Sequence, residues 1–177
     1  MFKRVLLATA VLALTPLLAQ AQDFRGGAKQ GSQEMTLSGT GSNNNDFDAG
    51  NFGITGSYGY YFSPALELSL RQSINWAGST AADDSWNGAT RIALDYHFFT
   101  SGRLRPFIGA NIGYIYGDNV NDTGTIGPEL GLKYYVNDTT FVLVQTEYQV
   151  FFDSGDEISD NFGDGAFQHT IGLGFNF

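Results

Sequence analysis

The chain has 177 residues, 18 of them acidic and 9 basic, and no cysteine. A net charge of −9 argues against nucleic acid as a partner, because phosphate contacts need clustered Lys and Arg. The absence of cysteine excludes a disulfide framework and thiolate chemistry.

The first 21 residues read MFKRVLLATAVLALTPLLAQA. Lys3 and Arg4 precede an apolar run over 5–18, and Ala19-Gln20-Ala21 follows. This is the pattern of a secretory signal peptide with a small-residue cleavage site. The mature chain is then expected to start at Gln22, with 7 basic residues against 18 acidic and a charge of about −11. No later stretch has the apolar length of a spanning helix. An exported chain of this kind is either soluble outside the cytoplasm or a closed barrel, which satisfies its backbone within lipid.

Eight runs alternate with period two. The first, 33–42, puts Met35 and Leu37 on one face. The second, 51–62, aligns Ile54, Tyr58, Tyr60 and Phe62, and the third, 65–76, aligns Leu66, Leu68, Leu70 and Ile74. In the fourth, 88–99, the apolar set is Ile92, Leu94, Tyr96 and Phe98. Ile108, Ile112, Tyr114 and Tyr116 mark the fifth, 104–116; Leu130, Leu132 and Tyr134 mark the sixth, 125–136. The seventh, 140–152, carries Val142, Val144 and Tyr148, and the eighth, 166–177, carries Ile171, Leu173, Phe175 and Phe177. Each is long enough to cross a bilayer as a tilted strand, for which about 9–11 residues suffice.

The connections after runs two, four and six are short, and those at 43–50, 77–87, 117–124 and 153–165 are longer. The long connections carry Asp46, Asp48, Asp83, Asp84, Asp118, Asp122, Asp153, Asp156, Glu157, Asp160 and Asp164, with no Lys or Arg. Short turns at one end and longer loops at the other are the layout of an outer-membrane barrel. A soluble barrel would point its apolar face inward, but eight strands enclose too little space for so many large groups. The apolar face is therefore assigned to lipid, and the face rich in Gly, Ser and Thr to the lumen. Gln72 is the misfit: it takes the lipid-facing phase near mid-strand, where it needs a bulge or a partner.

The fold class is thus all-β: an eight-stranded antiparallel up-and-down transmembrane β-barrel over 33–177. A signal peptide (1–21) and a short periplasmic segment (22–32) precede it, and both ends of the mature chain fall on the short-turn side. The inward charges are Glu34, Glu67, Arg71, Arg91, Asp95, Glu129, Lys133 and Glu147, with His97 beside them. Opposite charges four residues apart along a strand are separated by roughly 13 Å, so they pair with other strands. Arg71, Arg91, Glu129 and Glu147 are placed near mid-height, where two Arg and two Glu form a network; Glu34, Glu67, Asp95 and Lys133 lie lower. Buried charges need partners, so the network has a structural reading as a filler of the lumen. Its functional reading is a switchable plug. Inward glycines 53, 59, 109, 113, 131, 172 and 174 are expected to leave water-filled space.

The final residues Thr170, Ile171, Gly172, Leu173, Gly174, Phe175, Asn176 and Phe177 follow a pattern of polar residue, glycine, aromatic and terminal aromatic. With the eight alternating runs, this resembles the small outer-membrane barrels of the OmpA and OmpX type. The resemblance implies that Thr170, Gly172, Phe175 and Phe177 form an assembly signal read by the barrel assembly machinery. It also implies an ionic cluster in a largely plugged lumen, and the outer membrane of a diderm bacterium as the location. The expected partners are membrane lipid and lipopolysaccharide, with the protein a monomer.

Some barrels of this architecture deacylate lipid A with a Ser-His-Glu triad. Here His169 lacks a serine two places on, and His97 points inward. No nucleophile, base and orienting group share a face. The expectation is a non-enzymatic barrel without cofactor, with a structural or surface role; a narrow channel or small-molecule transport barrel is the alternative. Asp153, Asp156, Glu157, Asp160 and Asp164 form a candidate weak cation-binding loop, since clustered carboxylates suit hard cations. The spacing does not match an EF-hand, and a solvated loop that repels aggregation is the simpler reading.

Overall fold

The computed structural model describes residues 24, 26–44, 50–79, 82–117, 123–152 and 165–177, without the side chains of 42–44, 50–52, 76–79 and 82–85. Eight strands follow in chain order: β1 (Gln33–Asn44), β2 (Gly50–Ser63), β3 (Leu66–Ser79), β4 (Ala82–His97), β5 (Leu104–Gly117), β6 (Thr123–Tyr135), β7 (Thr140–Phe152) and β8 (Ala166–Asn176). Each pairs antiparallel with the next, and β8 returns to β1 to close the barrel. Closure leaves no unpaired edge, which is what a sheet in lipid requires.

At the seam, Glu34 pairs with Asn176 and Leu37 with Leu173. Beyond the last rung the backbones of Gln33 and Phe177 exchange both hydrogen bonds, each 2.9 Å. The short turns use local side-chain acceptors. Ser63 Oγ accepts from the amides of Ala65 (3.3 Å) and Leu66 (3.1 Å) beside Pro64. Asn137 Oδ1 accepts from the amides of Thr139 (3.0 Å) and Thr140 (2.8 Å). Gly102 takes φ 94° in the β4–β5 connection, a conformation that side chains disfavour.

The connection expected over 77–87 is much shorter. β3 runs to Ser79 and β4 starts at Ala82, with Asn75 opposite Asn87 and Trp76 opposite Trp86. The ladder continues through these pairs and becomes irregular only between Ala77 and Ser79. The acidic positions 46, 48, 118, 122, 153, 156, 157, 160 and 164 lie outside the described residues.

The outer face carries the large apolar side chains. Leu37, Ile54, Leu70, Ile112, Leu130, Ile171 and Leu173 are each more than half exposed. Tyr58, Tyr60, Phe62, Tyr96, Phe98 and Phe175 lie toward the short-turn end and are also exposed. The register breaks only near the ends of β3, so Gln72 does not sit on a bulge. It has a partner set instead. Gln72 Nε2 donates to Tyr116 Oη at 2.7 Å, and Thr90 Oγ1 donates to Gln72 Oε1 at 2.7 Å.

Candidate functional site: the charged lumen

Strand register decides how the inward charges pair. β3 and β4 set Glu67 opposite Asp95 and Arg71 opposite Arg91. β6 and β7 set Glu129 opposite Glu147. Like charges directly opposite repel. Apart from Asp95, which reaches Arg71 from the neighbouring strand, the favourable partners lie across the lumen. β5 leaves the way open, because it contributes Gly109 and Gly113 beside Asp95 and Arg91.

The upper tier is built on the two arginines. Arg71 donates to Glu129 through Nη1 (2.9 Å) and Nη2 (2.8 Å), and Nη2 also reaches Asp95 Oδ2 at 2.8 Å. This is a two-pronged guanidinium–carboxylate contact, the strongest common form of ion pair. Arg91 pairs with Glu147 and donates to Ser73 Oγ at 2.7 Å. Asn111 on β5 ties the two acids together, donating to Glu129 at 2.7 Å and Glu147 at 3.0 Å.

The lower tier is built on Lys133. Its Nζ lies 2.6 Å from Glu34 Oε1, 2.7 Å from Glu67 Oε2 and 2.9 Å from Tyr61 Oη. Tyr61 Oη donates to Glu34 at 2.9 Å, and Asn176 Nδ2 donates to the same carboxylate at 3.0 Å. The rings of Tyr61, Phe107 and Phe141 surround the ammonium at 5.4, 5.7 and 5.0 Å. His97 is buried between the rings of Tyr61 and Phe107, with Nε2 3.8 Å from Glu67. Neither of its ring nitrogens has a hydrogen-bond partner.

All eight inward charges read from the sequence are buried and lie in these two tiers. Asp95 belongs with Arg71 rather than with the lower set. The lumen differs from the expected small-polar lining at its short-turn end, where Tyr61, Phe107, Tyr135 and Phe141 are essentially inaccessible. They occupy inward positions in the alternation, which was the available signal. The inward glycines do not leave water-filled space. A Cβ on Gly131 would fall 2.2 Å from the Phe107 ring, and one on Gly174 2.3 Å from the Phe141 ring. Gly59 receives Glu67, Gly109 receives Asp95, and Gly113 receives Arg91. Each glycine is a notch that a neighbouring strand fills. The cavity left among the charged residues is about 20 Å³.

Of the terminal motif, Thr170 faces the lumen, while Phe175 and Phe177 are exposed with their rings 5.5 Å apart. Gly172 lies against Ser38 of β1. His169 is on the outer face, with Nδ1 3.0 Å from Thr146 Oγ1. It is thus separated from the lumen acids by the barrel wall. The acidic loop residues 153, 156, 157, 160 and 164 lie outside the described residues; among the described ones, no group of three His, Asp or Glu is arranged to hold a metal.

Comparison with solved structures finds the same architecture. The chain is 24% identical to the N-terminal β-barrel domain of Pseudomonas aeruginosa OprF, covering 85% of this chain and 100% of that one, with a TM-score of 0.59. It is 13% identical to OprG from P. aeruginosa, covering 88% and 99%, with a TM-score of 0.63. Against Neisserial surface protein A (NspA) the identity is 16%, the coverage 85% and 99%, and the TM-score 0.61. No curated protein matches the sequence. Residues 6–177 match the family model of the outer membrane protein beta-barrel domain, so the chain belongs to that family of outer-membrane barrels.

Proposed function

We propose that this protein is a non-enzymatic outer-membrane barrel with a structural or surface role, its lumen plugged by the two ionic tiers. The observation that carries this reading is the filling of the lumen. Buried charges from β1, β3, β4, β6 and β7 meet inside the barrel, joined by Tyr61 from β2, Asn111 from β5 and Asn176 from β8. The cavity among them, about 20 Å³, has room for one water, for which about 10–15 Å³ is needed. A narrow channel needs a continuous path, and eight strands give little space to begin with.

The remaining parts of the reading come from sequence. Residues 1–21 direct export, the mature termini face the periplasm, and the loop end faces outward among lipopolysaccharide. Thr170, Gly172, Phe175 and Phe177 serve assembly by the barrel machinery, and the protein acts as a monomer. The acidic loop residues are left as a solvated loop with weak affinity for divalent cations at most. The plug is tested by planar-bilayer recording of the refolded wild-type barrel, with heat-modifiable gel migration as the folding control. The folded protein should give no resolved conductance steps. Stable steps from it would favour the channel instead.

A further inference from the structure

Residues 24 and 26–32, just ahead of β1, are not a loose lead-in. In an eight-stranded barrel β5 lies on the wall opposite β1. Residues 24 and 26–32 nevertheless reach β5, β6 and β7 before the chain turns back into β1. Phe24 is buried in one cluster with Phe107, Tyr135, Phe141 and Leu143, and the Arg103 guanidinium sits 4.8 Å over its ring. The Gly27 amide donates to the Asp138 carbonyl at 2.6 Å, in the β6–β7 turn. Arg105, only 2% exposed, donates to the carbonyls of Gly26 (2.7 Å) and Ala28 (3.2 Å). The return leg is fixed by the Gly31 amide on the Tyr61 carbonyl at 2.8 Å.

The seat fits glycine specifically. Gly27 has φ 91°, which side chains disfavour. A Cβ on Gly26 would fall 2.4 Å from Asp138 Cα, a backbone atom that cannot turn aside. A buried arginine bonded to two main-chain carbonyls of one segment holds that segment whatever its side chains are.

We propose that this segment is a stopper across the short-turn mouth, lying beneath the Lys133 tier, and that its release opens that end of the lumen to water and small solutes. The inference is separate from the ionic plug, because among the described residues the segment bonds directly to no lumen carboxylate. It reaches the Lys133 tier through Tyr135, which accepts from the Ala28 amide at 3.3 Å and donates to Asn176. Its grip is local, and local elements open separately from the whole fold.

The chain has no cysteine, so single-cysteine reporters are clean. Leu143→Cys places a thiol under Phe24, and Thr125→Cys places one on the loop side of the network, where Thr125 is fully buried. The mature chain, residues 22–177, is refolded in micelles and treated with a small cationic methanethiosulfonate. Adding Gly26→Val should speed labelling at the Leu143 reporter at least about tenfold and leave the Thr125 reporter unchanged. Equal rates at the Leu143 reporter in folded protein would overturn the proposal, as would an equal rise at both reporters. If Gly26→Val gives no heat-modifiable band, Arg105→Gln takes its place: the same selective rise supports the stopper, and the same two results overturn it.

Discussion

Arg71 on β3 and Glu129 on β6 lie 58 positions apart and are joined by two hydrogen bonds of 2.9 and 2.8 Å across the lumen. Two strands stand between them around the wall. The residue opposite Arg71 on the neighbouring strand is Arg91, and the one opposite Glu129 is Glu147. Among the described residues, the β6–β7 hairpin pairs none of its own charges, and within the β3–β4 hairpin the one ion pair is Arg71 with Asp95. Charge pairing and barrel closure therefore arrive together, and an open or misregistered sheet leaves like charges side by side.

Gln72 shows how a polar side chain is kept in the lipid-facing wall. Its amide is bonded to Tyr116 and Thr90, so the group is satisfied without a lumen contact. Replacing it with leucine exchanges those bonds for apolar contact with lipid, and the change in unfolding free energy should stay within about 1 kcal/mol. Gln72→Lys at the same depth should cost about 2–4 kcal/mol. Urea unfolding in lipid vesicles, read by tryptophan fluorescence, measures both.

The notch glycines give a second expectation. Phe107 covers Gly131 and Phe141 covers Gly174 so closely that an added methyl must displace the ring. Gly131→Ala and Gly174→Ala should each destabilise the barrel by about 1–3 kcal/mol, the usual cost of overpacking. Gly56, whose Cβ would meet nothing within 4 Å, is the control, and Gly56→Ala should be close to neutral by the same unfolding assay. A loss at Gly56 equal to that at Gly131 would mean that strand propensity, not the notch, is being read.

The barrel was legible because period-two alternation is a backbone property, and Leu68, Leu70, Ile92, Leu94 and Ile112 display it without help from distant residues. The identity of the lumen charges followed from the same phase. Their partners did not. Which carboxylate meets Arg71 depends on the stagger of eight strands, so counting from the turns puts Asp95 too low and gives no sign of Asn111 and Asn176. The inward aromatics Phe107 and Phe141 are hard to read for a related reason. Each looks oversized for an eight-stranded interior until Gly131 and Gly174 on the next strands are seen to receive them. The seat of Phe24 has no local signature, since its partners come from β5, β6 and β7.

The terminal aromatic has a folding role visible at the seam and an assembly role expected from the motif. Gln33 and Phe177 exchange backbone bonds at the last rung, which a residue of any type could make. Phe177→Ala keeps that rung. It should leave stability of the refolded barrel within about 0.5 kcal/mol, as exposed substitutions usually do. It should also sharply lower the amount of heat-modifiable protein in the outer membrane. Unchanged membrane yield would remove the assembly role from Phe177.

The account depends most on the lumen being filled by charges that bond across it, and a double-mutant cycle on Arg71→Met and Glu129→Leu reads that directly. Arg71→Met leaves Glu129 and Asp95 without their cation and should cost about 3–5 kcal/mol in vesicle unfolding, while Glu129→Leu leaves Arg71 to Asp95 and should cost less. The double change removes both charges together, so its cost should fall at least about 2 kcal/mol below the sum of the singles. Two small losses that add to within about 0.5 kcal/mol would contradict the account, because independent residues behave that way.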